Sequence, residues 1–421
     1  MAFIDSLLSM FEGMAPENIA VHEERCVCIR NRNAKCLKCV DVCTTGAIAY
    51  SAANKLEVFP EKCIGCGTCA NACPTGALEV KGLGDDELTR LVKQSIRATS
   101  GHPVIACQCA YDAAMAQVEG GEPTKLGKRN KHPRLDDNAM CVVPCLGRID
   151  ESMAIGLGAY KCLDATFVCN DCEACEHAKG GEFVRQVLAD STRMLKAFDC
   201  ELPITVTDEF PDRVWLQPEE AGYVPVECDL PGTSRRQAFK DARAAGADLA
   251  REGIDSALGV EKPKPVPVAY RKVNPETGTL SHFVPTRRTR MYNYLKHIGD
   301  PLAADEVTTR VVGKIHIDKD ACTACRMCAV FCPTGAIFKV DEPELFGIFH
   351  RPAACMQCRL CESLCHSQAI TVESTIPIKQ FMGKEGVLYE MEKPKWEPNK
   401  PDSMFNKIHS VIGEDLQMHA F

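Results

Sequence analysis

Apolar residues recur along this chain in several patterns, and each marks a different kind of segment. Near the start, Phe3, Ile4, Leu7, Leu8 and Phe11 keep the three-to-four spacing of one helical face, so residues 1–14 are predicted to form a short amphipathic helix. Between residues 85 and 210, short apolar runs alternate with helical patterns. Runs at 104–106, 141–143 and 166–168 predict buried strands, with 204–206 a candidate fourth strand, and 86–97, 150–160 and 182–198 predict the helices around them. That alternation predicts a central α/β domain with a parallel sheet. Residues 234–251 and 287–299 carry further helical patterns. The latter opens on Arg287, Arg288 and Arg290, which read first as a solvated basic face and second as a docking surface for an acidic partner. Pro263, Pro265 and Pro267 occupy every second position, as in an extended polyproline-like linker.

The stretches 22–80 and 311–375 are organised by cysteine. Cys63, Cys66, Cys69 and Cys73, followed by Pro74, make a C-x2-C-x2-C-x3-C-P run. This is the pattern with which bacterial ferredoxins bind [4Fe–4S] clusters. Three thiolates two residues apart wrap one cubane, and the fourth, before the proline, ligates the neighbouring cluster. The partner run is Cys36, Cys39 and Cys43, with Asn33 where strict spacing puts the remaining cysteine, so Cys26 or Cys28 must supply that thiolate. One cluster then takes Cys36, Cys39, Cys73 and Cys26 or Cys28; the other takes Cys63, Cys66, Cys69 and Cys43. A [3Fe–4S] centre at the first site and structural zinc at either are the competing readings. Near the other end the arrangement repeats in full. Cys322, Cys325, Cys328 and Cys332 precede Pro333, and Cys355, Cys358, Cys361 and Cys365 precede His366. By the same crossing, one site takes Cys322, Cys325, Cys328 and Cys365, the other Cys355, Cys358, Cys361 and Cys332. The fold class expected is therefore α+β ferredoxin-like dicluster modules at both ends of a central α/β parallel-sheet domain.

In the central domain Cys107 and Cys109 follow the first predicted strand, Cys145 the second, and Cys169, Cys172 and Cys175 the third. Sites in open α/β sheets form beyond the carboxyl ends of the strands, so these six should converge on one pocket. Cys141 and Cys162 read as core, and His177 as a surface or supporting residue. Pro144, Cys145, Gly147, Arg148, Ile149 and Asp150, then Phe167, Val168, Cys169, Asp171, Cys172, Cys175, Glu176, His177, Gly180 and Gly181, resemble the delta (iron–sulfur) subunit of methyl-viologen-reducing hydrogenases; Cys109 to Tyr111 is also similar. The resemblance implies a [2Fe–2S] cluster here, and partners such as a hydrogenase, a formate-dehydrogenase-like molybdenum subunit or a flavoprotein. The C-x2-C-x2-C spacing at 169–175 favours a cubane instead.

The domain division expected is 1–84 (leading helix and ferredoxin module), 85–210 (hydrogenase-delta-like domain), 211–310 (linker and helical segment), 311–375 (second ferredoxin module) and 376–421 (extension). The chain has 421 residues and 27 cysteines, an odd number that excludes complete disulfide pairing and, with this spacing, points to metal. A net charge of −8 without a long basic run argues against nucleic acid as partner. No secretory leader or membrane-spanning run is recognised, which predicts a cytoplasmic protein of an anaerobe, with peripheral docking on a membrane complex left open. Gly156 and Gly158 lack the third glycine and the strand of a dinucleotide fingerprint, and no catalytic triad or phosphate loop is seen. The expected function is an electron-transfer subunit of a multi-subunit oxidoreductase, passing single electrons through about five clusters. The alternative is a thiol or disulfide reductase using the central cysteines.

Overall fold

The computed structural model describes residues 18–51, 55–119, 135–215, 274, 277–302, 306–383 and 385–394. The helices expected over 1–14 and 234–251, the proline-rich linker, Cys228 and the chain beyond 394 lie outside the described residues.

The first cysteine-rich unit is built from short elements: β1 (Ile19–Val21), α1 (Val27–Arg30), α2 (Lys38–Asp41), β2 (Ile48–Ser51), β3 (Lys55–Val58), α3 (Thr68–Ala72) and β4 (Leu78–Val80). β1 pairs antiparallel with β4, Ile19 opposite Val80, so the unit's outer strands close on each other. β2 and β3 form a hairpin between the two cysteine runs.

The central domain follows: α4 (Asp85–Ala98), β5 (Val104–Cys107), α5 (Gln108–Glu119), β6 (Met140–Val143), α6 (Glu151–Ala159), β7 (Ala165–Val168), α7 (Ala178–Lys196) and β8 (Ile204–Thr207). Its sheet has four strands in the order β6-β5-β7-β8, all parallel. β5 and β7 are buried along their whole length, as expected of inner strands with helices on both faces. The chain passes from β5 to β6 on one side and then returns across β5 to β7. The strand order therefore reverses at β5, and the loops leaving β5, β6 and β7 all open at that point. Helix α6 is buried throughout, capped by the Asp150 carboxylate accepting from Met153 N at 2.9 Å. Its Gly156 faces the Tyr294 ring and its Gly158 the Leu195 side chain, so both serve helix packing.

The rest comprises α8 (Thr286–Ile298), β9 (Glu306–Thr308), β10 (Lys314–Ile317), α9 (Met327–Phe331), β11 (Ile337–Glu342), β12 (Leu345–His350), α10 (Leu360–Leu364), β13 (Ile370–Glu373), β14 (Thr375–Pro377), α11 (Ile378–Met382) and β15 (Val387–Glu390). β10 and β13 pair as β1 and β4 do, and β11–β12 is the hairpin equivalent of β2–β3, so the second cysteine-rich unit repeats the first. β15 adds to β12 and β14 pairs with β9.

The basic helix α8 departs from the solvated face expected of it. Met291, Tyr294 and Leu295 enter the central core, and Arg288 and Arg290 are buried. Arg290 donates to Ser152 Oγ at 2.8 Å and pairs with Asp85 and Asp150, each at 3.1 Å. Arg287 donates to the carbonyls of Ala70, Asn71 and Cys73, and Arg288 to Val311 O and Ala353 O. Carboxylates and carbonyl oxygens of all three units thus take the place of water around these guanidiniums. Ile376, Ile378 and Phe381, from the start of the C-terminal extension, join the same central core.

Two stability predictions follow from these contacts. Replacing Arg290 by Met should strand the buried Asp150 carboxylate and cost about 3–5 kcal/mol in denaturant unfolding. His350 is fully buried and neither ring nitrogen has a partner among the described residues; burial lowers its pKa from 6.5 to about 4. Its folded value lies below its unfolded one, so its stability contribution is complete above about pH 6.5 and is lost as the pH falls toward 4. That loss amounts to roughly 3 kcal/mol. His350→Phe should remove this part of the pH dependence, read from unfolding midpoints across that range.

Candidate metal centres

Every cysteine among the described residues is a free thiol. In the first unit, Cys26, Cys28, Cys36, Cys39 and Cys73 line one cavity. Cys73 comes from the second run, so the crossing expected from the spacing is present in space. Burial pushes the Cys39 thiol up to about 12, reinforced by Cys73, Cys36 and Cys26. Cys43 lies instead with Cys63, Cys66 and Cys69. Cys69 is driven well above its ordinary value by burial and then by Cys66, Cys39, Cys63 and Cys43. The second unit behaves in the same way. Cys322, Cys325, Cys328 and Cys365 line one cavity. Cys332 sits with Cys355, Cys358 and Cys361; burial, with Cys332 among the neighbours that add to it, raises Cys355 to about 11.

Backbone conformation explains how three thiols of a run face one point. Gly65 and Gly67 adopt φ of +69° and +76°, and Ala324, Arg326, Gln357 and Arg359 adopt φ of 54°, 56°, 49° and 56° at the equivalent positions. A left-handed residue on each side of the middle cysteine curls the loop and turns its N–H groups inward, as in anion-binding nests. Four of these residues carry side chains, at a cost of roughly 1–3 kcal/mol each. The run from Cys36 lacks this turn: Leu37 has φ −118° and Lys38 begins α2. The same run is the one with Asn33 in place of a cysteine. A second repeated device is a hydroxyl two residues beyond the fourth cysteine. Thr45, Thr75, Thr334 and Ser367 lie 3.7, 3.6, 3.8 and 3.6 Å from the sulfurs of Cys43, Cys73, Cys332 and Cys365.

In the central domain, Cys107, Cys109, Cys145, Cys169, Cys172 and Cys175 do line one cavity, and His177 and Gly181 join them. It lies at the carboxyl ends of β5, β6 and β7, where the strand order reverses. Cys107 and Cys109 approach to 3.2 Å between sulfurs. Burial pushes Cys145 and Cys172 up to about 12, with neighbouring cysteines adding to it. His177 lines the cavity with its Nδ1 buried and without a partner among the described residues, a position the sequence did not disclose. No residue between Cys169 and Cys175 has positive φ, so this C-x2-C-x2-C run is not folded as the ferredoxin loops are. Cys141 and Cys162 are buried away from the cavity, as expected of core residues.

The donor sets suit iron–sulfur clusters. Crowded, buried thiols resist ionisation, and a bound metal centre reverses that because its thiolate ligands are deprotonated outright. Among the described residues no three Cys, His, Asp or Glu converge tightly enough to chelate a single ion, whereas thiols ring whole cavities. No helix among the described residues is long and apolar enough to cross a membrane.

Comparison with known proteins agrees with this geometry. The model of a 4Fe-4S binding domain matches residues 56–79 and 315–338, and a second 4Fe-4S binding domain model matches 352–371. The isethionate sulfite-lyase activating enzyme of Nitratidesulfovibrio vulgaris is 34% identical over 79 residues, 18% of this chain and 24% of its own length. The archaeal-type glutamate synthase (NADPH) of Thermotoga maritima is 37% identical over 73 residues, 17% of this chain and 13% of its own. The electron transport protein HydN of Escherichia coli is 50% identical over 42 residues, 10% of this chain and 23% of its own. The chain thus spans about a quarter or less of the length of these relatives. No solved structure matches it. The chain carries ferredoxin-type 4Fe-4S binding domains at both ends, an assembly suited to iron–sulfur electron transfer.

A Cβ on Gly181 would lie 2.7 Å from both Cβ and Sγ of Cys172. Gly181→Ala should therefore displace that thiol, and any metal the central cavity holds should fall while the ferredoxin-type sites keep their iron, measured as iron per chain with EPR of the reduced protein.

Proposed function

We propose that this protein is an electron-transfer subunit of a multi-subunit oxidoreductase, carrying four [4Fe–4S] clusters in its two ferredoxin modules and a fifth centre in its central domain. The observation that carries the reading is the crossing of thiols. Each closed site gathers at least four cysteines, one of them crossing from the other run; at the Cys36 site, Cys26 and Cys28 from the preceding segment stand in for the run's missing cysteine. Such a site offers no open metal position, and when loaded its chemistry is one-electron transfer, with no bond made or broken. The chain's own part is to hold the sites, exclude water and set their potentials through burial, charge and hydrogen bonds to sulfur. The hydroxyls of Thr45, Thr75, Thr334 and Ser367 and the nest-forming loops supply those hydrogen bonds. Catalysis belongs to the partner subunits in this reading, which keeps the domain division given above.

The ligand sets are Cys63, Cys66, Cys69 and Cys43; Cys322, Cys325, Cys328 and Cys365; and Cys355, Cys358, Cys361 and Cys332. Cys36, Cys39 and Cys73 take Cys26 as the fourth. The Cys28 sulfur is turned onto the carbonyls of Cys36 and Ala34, at 3.0 and 3.9 Å, which supports Cys26 as the ligand; the hydrogen bond between the two thiols works the other way, raising Cys26 and lowering Cys28. In the central domain four of Cys107, Cys109, Cys145, Cys169, Cys172 and Cys175 supply the ligands. Its run does not fold as a ferredoxin loop, which supports the [2Fe–2S] cluster of the hydrogenase-delta resemblance over a fifth cubane. That resemblance, with an electron transport protein and a glutamate synthase among the relatives, supports a hydrogenase, a formate-dehydrogenase-like subunit or a flavoprotein as donor or acceptor. The 3.2 Å approach of Cys107 to Cys109 sustains a second reading, thiol–disulfide reduction by the central domain.

Anaerobic iron and sulfide analysis with Mössbauer spectra tests these readings. About eighteen irons per chain is the expected result, and about twenty would mean a fifth cubane. About sixteen would leave the central thiols to the reductase reading. Zinc in place of iron after strictly anaerobic preparation would sink the electron-transfer reading. Cys26→Ser should alter the cluster it helps to hold, and Cys28→Ser should leave the count unchanged.

A further inference from the structure

Contacts between the three units put their sites in a definite order. From the first module, Val27 and Cys28 pack into one apolar cluster with Met327, Phe331 and Leu360 of the second; Cys26, Cys36, Cys325 and Cys358 border it, and Cys36 and Cys358 lie close enough for each to act on the other's charge. Lys38, between Cys36 and Cys39, donates to Gln357 O at 3.4 Å. Arg30, at the end of α1, is buried with Nε and Nη2 unpartnered among the described residues, and its charge faces Cys332 and Cys358. A buried cation, Arg30, and a half-buried one, Lys38, thus meet the thiols of the other module.

A comparably close junction joins the first module to the central domain. The Thr68 hydroxyl, two residues beyond Cys66, occupies the space that a Cβ on Gly147 would need, and would stand 3.1 Å from a Cβ on Gly180. That Gly180 Cβ would in turn collide with the sulfur of Cys145. Cys66 and Cys145 are therefore separated by Thr68 and two glycines that lack the atoms to hold them apart. Asn71 Nδ2 donates to Gly147 O at 2.9 Å and Lys179 Nζ to Cys43 O at 3.4 Å, tying the two sides together.

We propose that the five sites form one unbranched row, in the order central site, Cys63 site, Cys36 site, Cys355 site and Cys322 site, with Arg30 and Lys38 sealing the crossing between the modules. The proposal rests on the electron-transfer reading above and adds its path. A thiolate-held cluster is a buried anion, and a cation from the opposite module lowers the cost of bringing two such anions together. Removing those cations should open the crossing. The ends of the row are the central site and the Cys322 site, so donor and acceptor subunits meet the chain at these two places, not at its middle.

Magnetic coupling between reduced neighbours tests the order without any turnover assay. The full chain is purified anaerobically, its iron is counted, and EPR line shapes and power saturation are recorded after full reduction. Removing the Cys355 site with Cys358→Ala and Cys361→Ala should take away the neighbour that the row gives the Cys322 site, whose signal should become narrow and slow-relaxing. If that signal stays broadened by a centre of the first module, the order is wrong. The variant Arg30→Met with Lys38→Met retains every cysteine. It should keep the wild-type iron content and the coupling within each module, but lose the coupling between them. Unchanged coupling in this variant would overturn the sealing role, and it decides that question even if the cysteine variant does not fold. Absence of iron from the wild-type chain would overturn the electron-transfer reading itself.

Discussion

Buried thiols that face one another resist losing their protons, and most of this structure can be understood as a response to that constraint. Burial is the largest cause of the raised pKa at Cys39, Cys69, Cys145, Cys328, Cys355 and Cys361, and neighbouring cysteines add to it at each. A chain gains nothing from such crowding as bare thiols. It becomes favourable when a metal centre takes the protons' place. The left-handed residues around Cys66, Cys325 and Cys358, costly where they carry a side chain, and the repeated hydroxyls beside the fourth cysteines fit the same purpose.

Cations answer the same constraint at longer range. Arg287 reaches the carbonyl of Cys73, and Arg288 that of Ala353, two residues before Cys355. Arg30 and Lys38 face the Cys355 site from the other module. Arg310 joins Glu151 of the central domain to the Asn71 carbonyl of the first module. These groups sit where the units meet, so the charges that favour loaded sites also hold the units in register. A buried ion pair adds little net stability over an apolar contact, but its loss is expensive. The assembly is therefore specified by its charges more than it is strengthened by them.

Much of this was legible in the sequence because local rules govern it. Cysteine spacing identified the ferredoxin runs, and the missing cysteine at Asn33 flagged the one run whose loop lacks the left-handed turn. Short apolar runs located β5 and β7, since inner parallel strands are apolar on both faces, and also the edge strands β6 and β8. The sheet's end then collected cysteines from three separate loops. Helix α8 was legible as a helix but not as a buried one: its arginines look like a wet face until Asp85 and Asp150, far away in sequence, are brought beside them. Thr68 and Arg30 carried no signal, and His177 only that of a surface or supporting residue, because a single polar residue has no period and its meaning depends on what lies opposite.

By itself, the sequence determined which thiols could act together within each run, because a loop of a few residues has few ways to present them. It also determined that strands and helices alternate in the centre, through the periods of their apolar residues. The crossing of Cys73 to Cys36 and of Cys332 to Cys355 was already implied by the spacing; only the tertiary structure decided that Arg290 meets Asp85 and Asp150 and that the Cys36 site faces the Cys355 site. Those choices depend on contacts between distant segments. Their charges and shapes match only once the chain has folded, and no local pattern encodes that match.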